Sequence, residues 1–262
     1  MQTSNTALAA LSAMLFLVGA GSASADGMRR NGANSSTSTT QSVVTFSGYD
    51  QARDSSYFFQ GVQVALNGDI GRDGFMVRFY GSQVDYDYLN GTTPTHGMGR
   101  QGEFMIGYKA SRGNIWGAAF VGVDHQNHKL TPNDHTNSVR GSETGLKVVG
   151  DLASLREVGP VYFALSGMYS TAFDSYWARA RVGGNVNRVT IGPEFVALGN
   201  QGFDATRVGA FMTFDLKISP KLPLEVTLYA GHQFVAGSGN GGATGASGGE
   251  GEYFGLSLTS LF

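Results

Sequence analysis

The chain has 262 residues, with 39 glycines, no cysteine and 15% charged residues, against roughly 25% in an average soluble domain. Disulfide scaffolds, thiolate metal sites and cysteine nucleophiles are therefore excluded, and the formal net charge of −2 gives no indication of nucleic acid as a partner. The glycine content disfavours a mainly helical fold, because each glycine in a helix interior costs about 1 kcal/mol relative to alanine.

The first 42 residues are predicted to form a signal peptide and a flexible lead-in. Residues 7–21 are apolar, and the small-x-small sequence at 23–25 is typical of a signal-peptidase site. The first six residues lack the basic side chains of an ordinary signal. The alternative for the apolar stretch is a membrane anchor or buried helix, although the stretch is shorter than the ~20 residues of a spanning helix. We therefore expect a signal peptide at 1–25, a polar lead-in at 26–42 and one domain over 43–262.

From Val43 onward the sequence predicts β-strands throughout. Each segment is rich in Val, Phe, Tyr, Thr and Gly, and is bounded by Gly, Asn, Asp or Pro. The twelve predicted strands are 43–50, 56–66, 73–88, 100–111, 114–125, 139–152, 159–170, 174–186, 188–199, 203–217, 222–236 and 251–262.

The strands alternate bulky apolar side chains with small or polar ones, as strands of a membrane-spanning barrel do. In the last strand, Phe254, Leu256 and Leu258 share one face, whereas Tyr253 and Ser257 share the other. We predict an all-β, antiparallel, up-and-down transmembrane barrel of about twelve strands in the cell outer membrane, with lipid as its partner. A soluble β-sandwich is the alternative fold.

Connection lengths and the last residue favour the barrel. If the first strand runs outward, the connections after even-numbered strands are short, while longer loops fall at 89–99, 126–138 and 237–250. An even number of strands returns both ends to the periplasm, and a final Phe262 is typical of a strand recognised by the outer-membrane assembly machinery.

Charged residues within the strands are predicted to face the lumen, because an Arg or Lys against lipid at the midplane costs about 2 to 4 kcal/mol. Two interpretations stay open: a lattice of ion pairs that fills a narrow lumen, or a polar conduit for an anionic or sugar-like solute. Candidate sugar contacts are Trp116, Tyr162, Trp177 and Tyr253, which aromatic girdles at the membrane interfaces explain equally well. The predicted lumen-lining residues are Arg78, Glu103, Lys109, Glu143, Lys147, Asp151, Arg179, Arg181, Glu194, Arg207 and Asp215.

The sequence carries little sign of catalysis or of a cofactor. His125, His128 and His135, with Asp124 and Asp134, could hold a divalent metal, but a polar surface loop explains the same stretch better. The glycine-rich segment 237–250 joins two strands and opens no helix, so a phosphate cradle is not indicated. We expect no enzyme activity, no cofactor and no metal site.

Three blocks of the sequence, residues 107–152, 169–183 and 191–211, resemble the cellulose biosynthesis protein BcsS family. The resemblance runs from about Val43 to Phe262. It implies an envelope protein of cellulose-producing bacteria that works with the synthesis and secretion apparatus, with cellulose or cellulose-secretion proteins as partners. The family supplies no catalytic residues to transfer.

Three functional hypotheses follow. The first is a non-enzymatic outer-membrane barrel that assists cellulose biosynthesis, secretion or anchoring at the cell surface. The second is a narrow porin for oligosaccharides or small anions, motivated by Arg179, Arg181 and Arg207. The third is an outer-membrane hydrolase, motivated only by the histidine stretch.

Overall fold

The protein is a closed antiparallel barrel in a computed structural model that describes residues 41–156, 158–219, 222–236 and 249–262. Neighbouring strands pair in chain order, and β1 closes on β12 with Val44 opposite Leu261. The predicted signal peptide at 1–25, the lead-in up to residue 40 and most of the 237–250 loop lie outside the described residues. The twelve strands in the described ranges are β1 (Val43–Ala52), β2 (Ser55–Ala65), β3 (Gly74–Asn90), β4 (Thr93–Arg112), β5 (Ile115–Thr131), β6 (Gly141–Ser154), β7 (Val161–Ser170), β8 (Tyr176–Val186), β9 (Val189–Asn200), β10 (Phe203–Ser219), β11 (Leu222–Val235) and β12 (Gly251–Leu261).

The outer surface carries an apolar belt, which confirms the transmembrane barrel and excludes the soluble sandwich. Phe75, Phe79, Phe104 and Tyr108 are all exposed on β3 and β4, and their rings contact each other in pairs at 5.2 Å and 5.1 Å between centroids. Soluble monomers rarely expose contiguous apolar patches of this kind. Among the described residues, no helix is long and apolar enough to cross a membrane.

The two ends of the barrel differ in what they carry. We call the end with the start of β1 and the end of β12 the terminal end, and the opposite one the distal end. Among the described residues, the distal end carries the connections 53–54, 91–92, 132–140, 171–175 and 201–202, and a short 3-10 turn, Ala172–Asp174, lies within one of them.

The predicted loops at 89–99 and 126–138 are largely wrong. β3 and β4 continue to a two-residue turn at Gly91, where φ is +60°, and β5 continues to Thr131. Tyr86 pairs with Gly97, and its ring lies over that glycine. These stretches extend past the apolar belt with polar residues on both faces, so they lack the alternation that identifies a strand in lipid. Only 132–140 remains as a loop there.

Inward glycines make room for aromatic rings inside the barrel. The ring of Phe120 lies over Gly107 on the neighbouring strand, and the ring of Tyr229 lies over Gly255. A methyl group at either position would fall within 2.4 Å of the ring or the neighbouring backbone. Aromatic rings that cover glycines on the neighbouring strand fix the register of the two strands. This packing explains part of the high glycine content.

Gly122 is a position where this packing leaves no room for a side chain. A Cβ there would lie 2.1 Å from the Phe104 carbonyl oxygen and 2.6 Å from the Met105 Cα, which are backbone atoms. We expect Gly122→Ala to lower the free energy of unfolding by roughly 1 to 3 kcal/mol, the usual cost of overpacking. The matched control is Gly102→Ala on β4, where a Cβ meets no atom within 4 Å. Urea titration of both variants in detergent is the measurement, and equal midpoints would contradict the expectation.

Candidate functional site

An apolar cluster occupies the terminal half of the described barrel, where Lys109 and the Arg156–Asp215 ion pair also lie. Trp116, only 1% exposed, packs there with Met105, Phe120 and Phe211 in one buried cluster. The ring of Tyr162 meets that of Phe211 edge-on at 6.1 Å between centroids. Removal of these apolar groups from water stabilises the barrel.

The connection between β2 and β3, residues 66–73, covers the terminal end of the barrel. Ile70, in that connection, is 2% exposed and joins the apolar cluster. Lys109 donates a hydrogen bond from Nζ to the Ile70 carbonyl oxygen at 2.6 Å, and this bond fixes the connection to β4. The terminal end of the described barrel is therefore covered by protein.

A cavity of about 300 Å³ extends from the middle of the barrel to the distal end. Asn137 and Val139 of the 132–140 connection and Ser175 of the 171–175 connection form part of its wall. Its aromatic wall residues are Tyr57, Phe59, Tyr80, Tyr86, Tyr176, Trp177, Phe203 and Tyr229. Its charged wall residues are Asp50, Arg78, Arg100, Lys147, Asp151, Arg179, Glu194 and Arg207.

Glu103 forms the first of two buried ionic clusters at this cavity. Its Oε1 accepts a hydrogen bond from Arg78 Nε at 3.0 Å, and its Oε2 lies 2.6 Å from Lys147 Nζ. The Glu103 side chain is fully buried, while Arg78 and Lys147 reach the cavity wall. The cluster spans three strands, β3, β4 and β6, and the side-chain-free Gly122 of β5 pairs with Lys147.

The second ionic cluster lies across the barrel. Arg207 Nη1 donates to both carboxylate oxygens of Asp50 at 3.0 and 2.9 Å, and Arg207 Nε donates to Gln233. Arg181 Nε donates to Glu194 Oε2 at 2.6 Å, and the Tyr253 hydroxyl donates to the other Glu194 oxygen at 3.1 Å. In both clusters, each buried cation that these contacts describe faces a carboxylate, as burial of charge requires.

Two connections partly cover the distal mouth of the cavity. The Tyr88 hydroxyl donates to Asp134 at 2.8 Å, and Asn137 donates to the same hydroxyl at 3.0 Å, so the 132–140 connection is fixed to β3. Hydrogen bonds from Thr136 hold the pKa of Asp134 below its usual range. The 171–175 connection is held by Gln126, which donates from Nε2 to Ser175 Oγ at 2.8 Å.

A family model for the cellulose biosynthesis protein BcsS matches residues 44–262. The chain belongs to that family. Among solved structures, the chain is similar to the KdgM porin in complex with disordered oligogalacturonate, at 7% identity and a TM-score of 0.40, over 84% of this chain and 99% of that one. It is similar to LpxR from Salmonella typhimurium at 10% identity and a TM-score of 0.41, over 84% and 100%. The search of curated proteins gave no match.

The predicted sugar-contact aromatics of this BcsS-family barrel lie in three different places. Trp177 lines the cavity. Trp116 and Tyr162 belong to the apolar cluster at the terminal end, away from the cavity. Tyr253 is buried, with the Arg207 guanidinium 4.8 Å from its ring centre. Strand direction explains these different positions. β5 and β7 begin at the terminal end, so their second residues, Trp116 and Tyr162, lie near that end. β8 begins at the distal end, so its second residue, Trp177, lies near the cavity mouth.

The predicted lumen residues face the barrel interior but lie at several depths. Arg78, Lys147, Asp151, Arg179, Glu194 and Arg207 reach the cavity wall, whereas Glu103 and Arg181 lie behind it as ionic partners. Lys109 is at the terminal end, and so is Asp215, which accepts from Arg156 at 2.7 Å. Glu143 accepts from the Phe173 amide near the distal mouth.

The histidine stretch does not form a metal site. His125 points outward and bonds Thr144, while His128 points inward and contacts the Phe173 ring edge-on at 5.2 Å. His135 lies on the 132–140 connection beside Asn133, and Asp124 is buried among Gln101, Gln126 and Ser170. Within the described ranges, no three metal-ligating side chains come together.

Most of the cavity aromatics carried a signal that the sequence analysis did not use. Tyr57 and Phe59 on β2 and Tyr80 on β3 occupy inward positions in the alternating pattern of their strands. The ring centroid of Phe59 lies 5.7 Å from that of Tyr57 and 6.2 Å from that of Tyr80. The phenol groups of Tyr57 and Tyr80 also hydrogen bond to each other. Reading the inward face of every strand for rings as well as for charges would have found them.

Proposed function

We propose that this BcsS-family barrel lies in the outer membrane with its terminal end toward the periplasm, and that it assists cellulose biosynthesis at the cell surface without catalysing a reaction. One observation carries the proposal: the barrel interior is filled toward the termini and holds a cavity toward the distal end. A barrel filled on one side suits contact with polymer outside the cell better than passage of polymer through its lumen.

The non-enzymatic part of the proposal is supported by the way two of the three carboxylates on the cavity wall, Asp50 and Glu194, are engaged; the third is Asp151. Both oxygens of Asp50 accept from Arg207, and both oxygens of Glu194 accept from Arg181 or Tyr253. Glycoside hydrolysis needs one carboxyl group that donates a proton and another that attacks or activates water. Carboxylates fixed by arginine are poorly placed for either role.

Deletion of the gene in its own host, with complementation by the full chain, tests the role. Total cellulose and the fraction retained on cells are measured separately, because a surface function affects retention more than synthesis. We expect the deletion to lower the retained fraction and complementation to restore it. Unchanged total cellulose together with unchanged retention would contradict the proposed role.

A further inference from the structure

We propose that the distal cavity binds the end of a neutral glucan chain that enters from the cell surface. The inference rests on the proposed function, since that function sets which end of the barrel faces outward. A volume of about 300 Å³ lies at the lower limit of small-molecule sites, so the cavity suits a chain end rather than a long segment.

The wall combines the two kinds of group that a sugar needs. Trp177, Tyr57 and Tyr80 bring aromatic rings to the cavity wall, and such rings are the groups that pack against the C–H faces of a pyranose. Gln101, Gln126, Ser82 and Ser166 add amide and hydroxyl groups on the same wall, which can pair with sugar hydroxyls. Few, well-placed polar groups among aromatic ones are typical of sites that fix a ligand's orientation.

The ion pairs at the wall favour a neutral ligand over an anion. Three of the five cations on the wall are engaged by carboxylates: Arg207 by Asp50, and Arg78 and Lys147 by Glu103. An anionic ligand would compete with these carboxylates and leave them buried without a counter-charge, at a cost of several kcal/mol. A hydroxyl-rich neutral chain requires no such exchange.

The wall also fixes the direction of entry. The apolar cluster and residues 66–73 cover the terminal end, while Tyr86, Phe203 and Asn137 form the wall near the distal connections. A ligand therefore enters between the distal connections and passes Trp177, which lies near that end. The Arg179 guanidinium, 5.0 Å from the Trp177 ring centre, holds that ring in place.

The two tryptophans allow a direct test with the full chain in detergent. Trp177 lines the cavity and Trp116 is buried in the apolar cluster, so only Trp177 emission should respond to a bound sugar. We expect cellohexaose to cause a saturable change in emission that persists in Trp116→Phe and is absent from Trp177→Phe. No saturable change, or an equal change in Trp177→Phe, would overturn the inference.

Calorimetry supplies a second measurement that does not depend on the fluorophore. We expect Trp177→Ala to weaken cellohexaose binding about tenfold or more, and Trp177→Phe to keep most of the affinity, because a ring remains for stacking. Tighter binding of an acidic oligogalacturonate of the same length would overturn the neutral-ligand assignment. If the protein does not bind the sugar but the deletion strain loses retention, only the inference is rejected. If the protein binds the sugar but the deletion strain keeps normal total cellulose and normal retention, the proposed function is rejected.

Discussion

Replacing Glu103 by glutamine is expected to lower the free energy of unfolding by about 3 to 5 kcal/mol, the usual cost of removing one partner from a buried ionic cluster. Glu103 contacts both Arg78 and Lys147, so the substitution leaves two cations facing each other without their shared carboxylate. Both cations are largely buried, and the Arg78 guanidinium lies 5.0 Å from the centre of the Phe46 ring.

A second substitution separates charge from shape. Glu103→Gln combined with Lys147→Met restores the charge balance with a side chain of similar length, and we expect it to recover more than half of the loss. Glu252→Gln is the matched control, because Glu252 is exposed on β12. Urea titration in detergent, followed by tryptophan emission, gives the unfolding free energies. An effect of Glu103→Gln no larger than that of Glu252→Gln would contradict the assignment.

Alternation along single strands was enough to predict the direction of side chains. Tyr253 and Phe254 are adjacent, and the structure buries the first and exposes the second, as period two requires. The closed barrel follows from many such strands. Depth along the barrel needs strand direction as well: Trp116 and Trp177 are both second residues of a strand, yet they lie at opposite ends because β5 and β8 run in opposite directions.

The cross-strand contacts at the site could not be predicted from the sequence. The cluster of Arg78, Glu103 and Lys147 joins strands whose register depends on the whole barrel. The position of Ile70 inside the terminal end depends on tertiary packing, because its sequence context is a polar connection. Strand propensity likewise did not predict the ends of the strands beyond the apolar belt. There, pairing with a neighbouring strand extends β3, β4 and β5 although their side chains are polar.

The full chain in a planar lipid bilayer is expected to show no stepwise conductance. Ions that enter the distal cavity meet the apolar cluster around Trp116, Tyr162 and Phe211, and the 66–73 connection lies beyond it. Transfer of an ion through this apolar packing carries a large desolvation cost. Steps in the native protein would contradict this account and favour the hypothesis of a narrow porin for oligosaccharides or small anions.

Removing the rings that fill the terminal half should change this result. Tyr162→Ser combined with Phe211→Ser deletes a ring pair whose centroids lie 6.1 Å apart, and serine hydroxyls give water a partner in space that would stay dry with alanine. We expect this variant to conduct in discrete steps. The matched control is Tyr86→Ser with Tyr88→Ser, a ring pair at 6.2 Å that lies at the distal end, and it should remain silent. Equal behaviour of the two folded variants would show that the apolar cluster does not set the barrier.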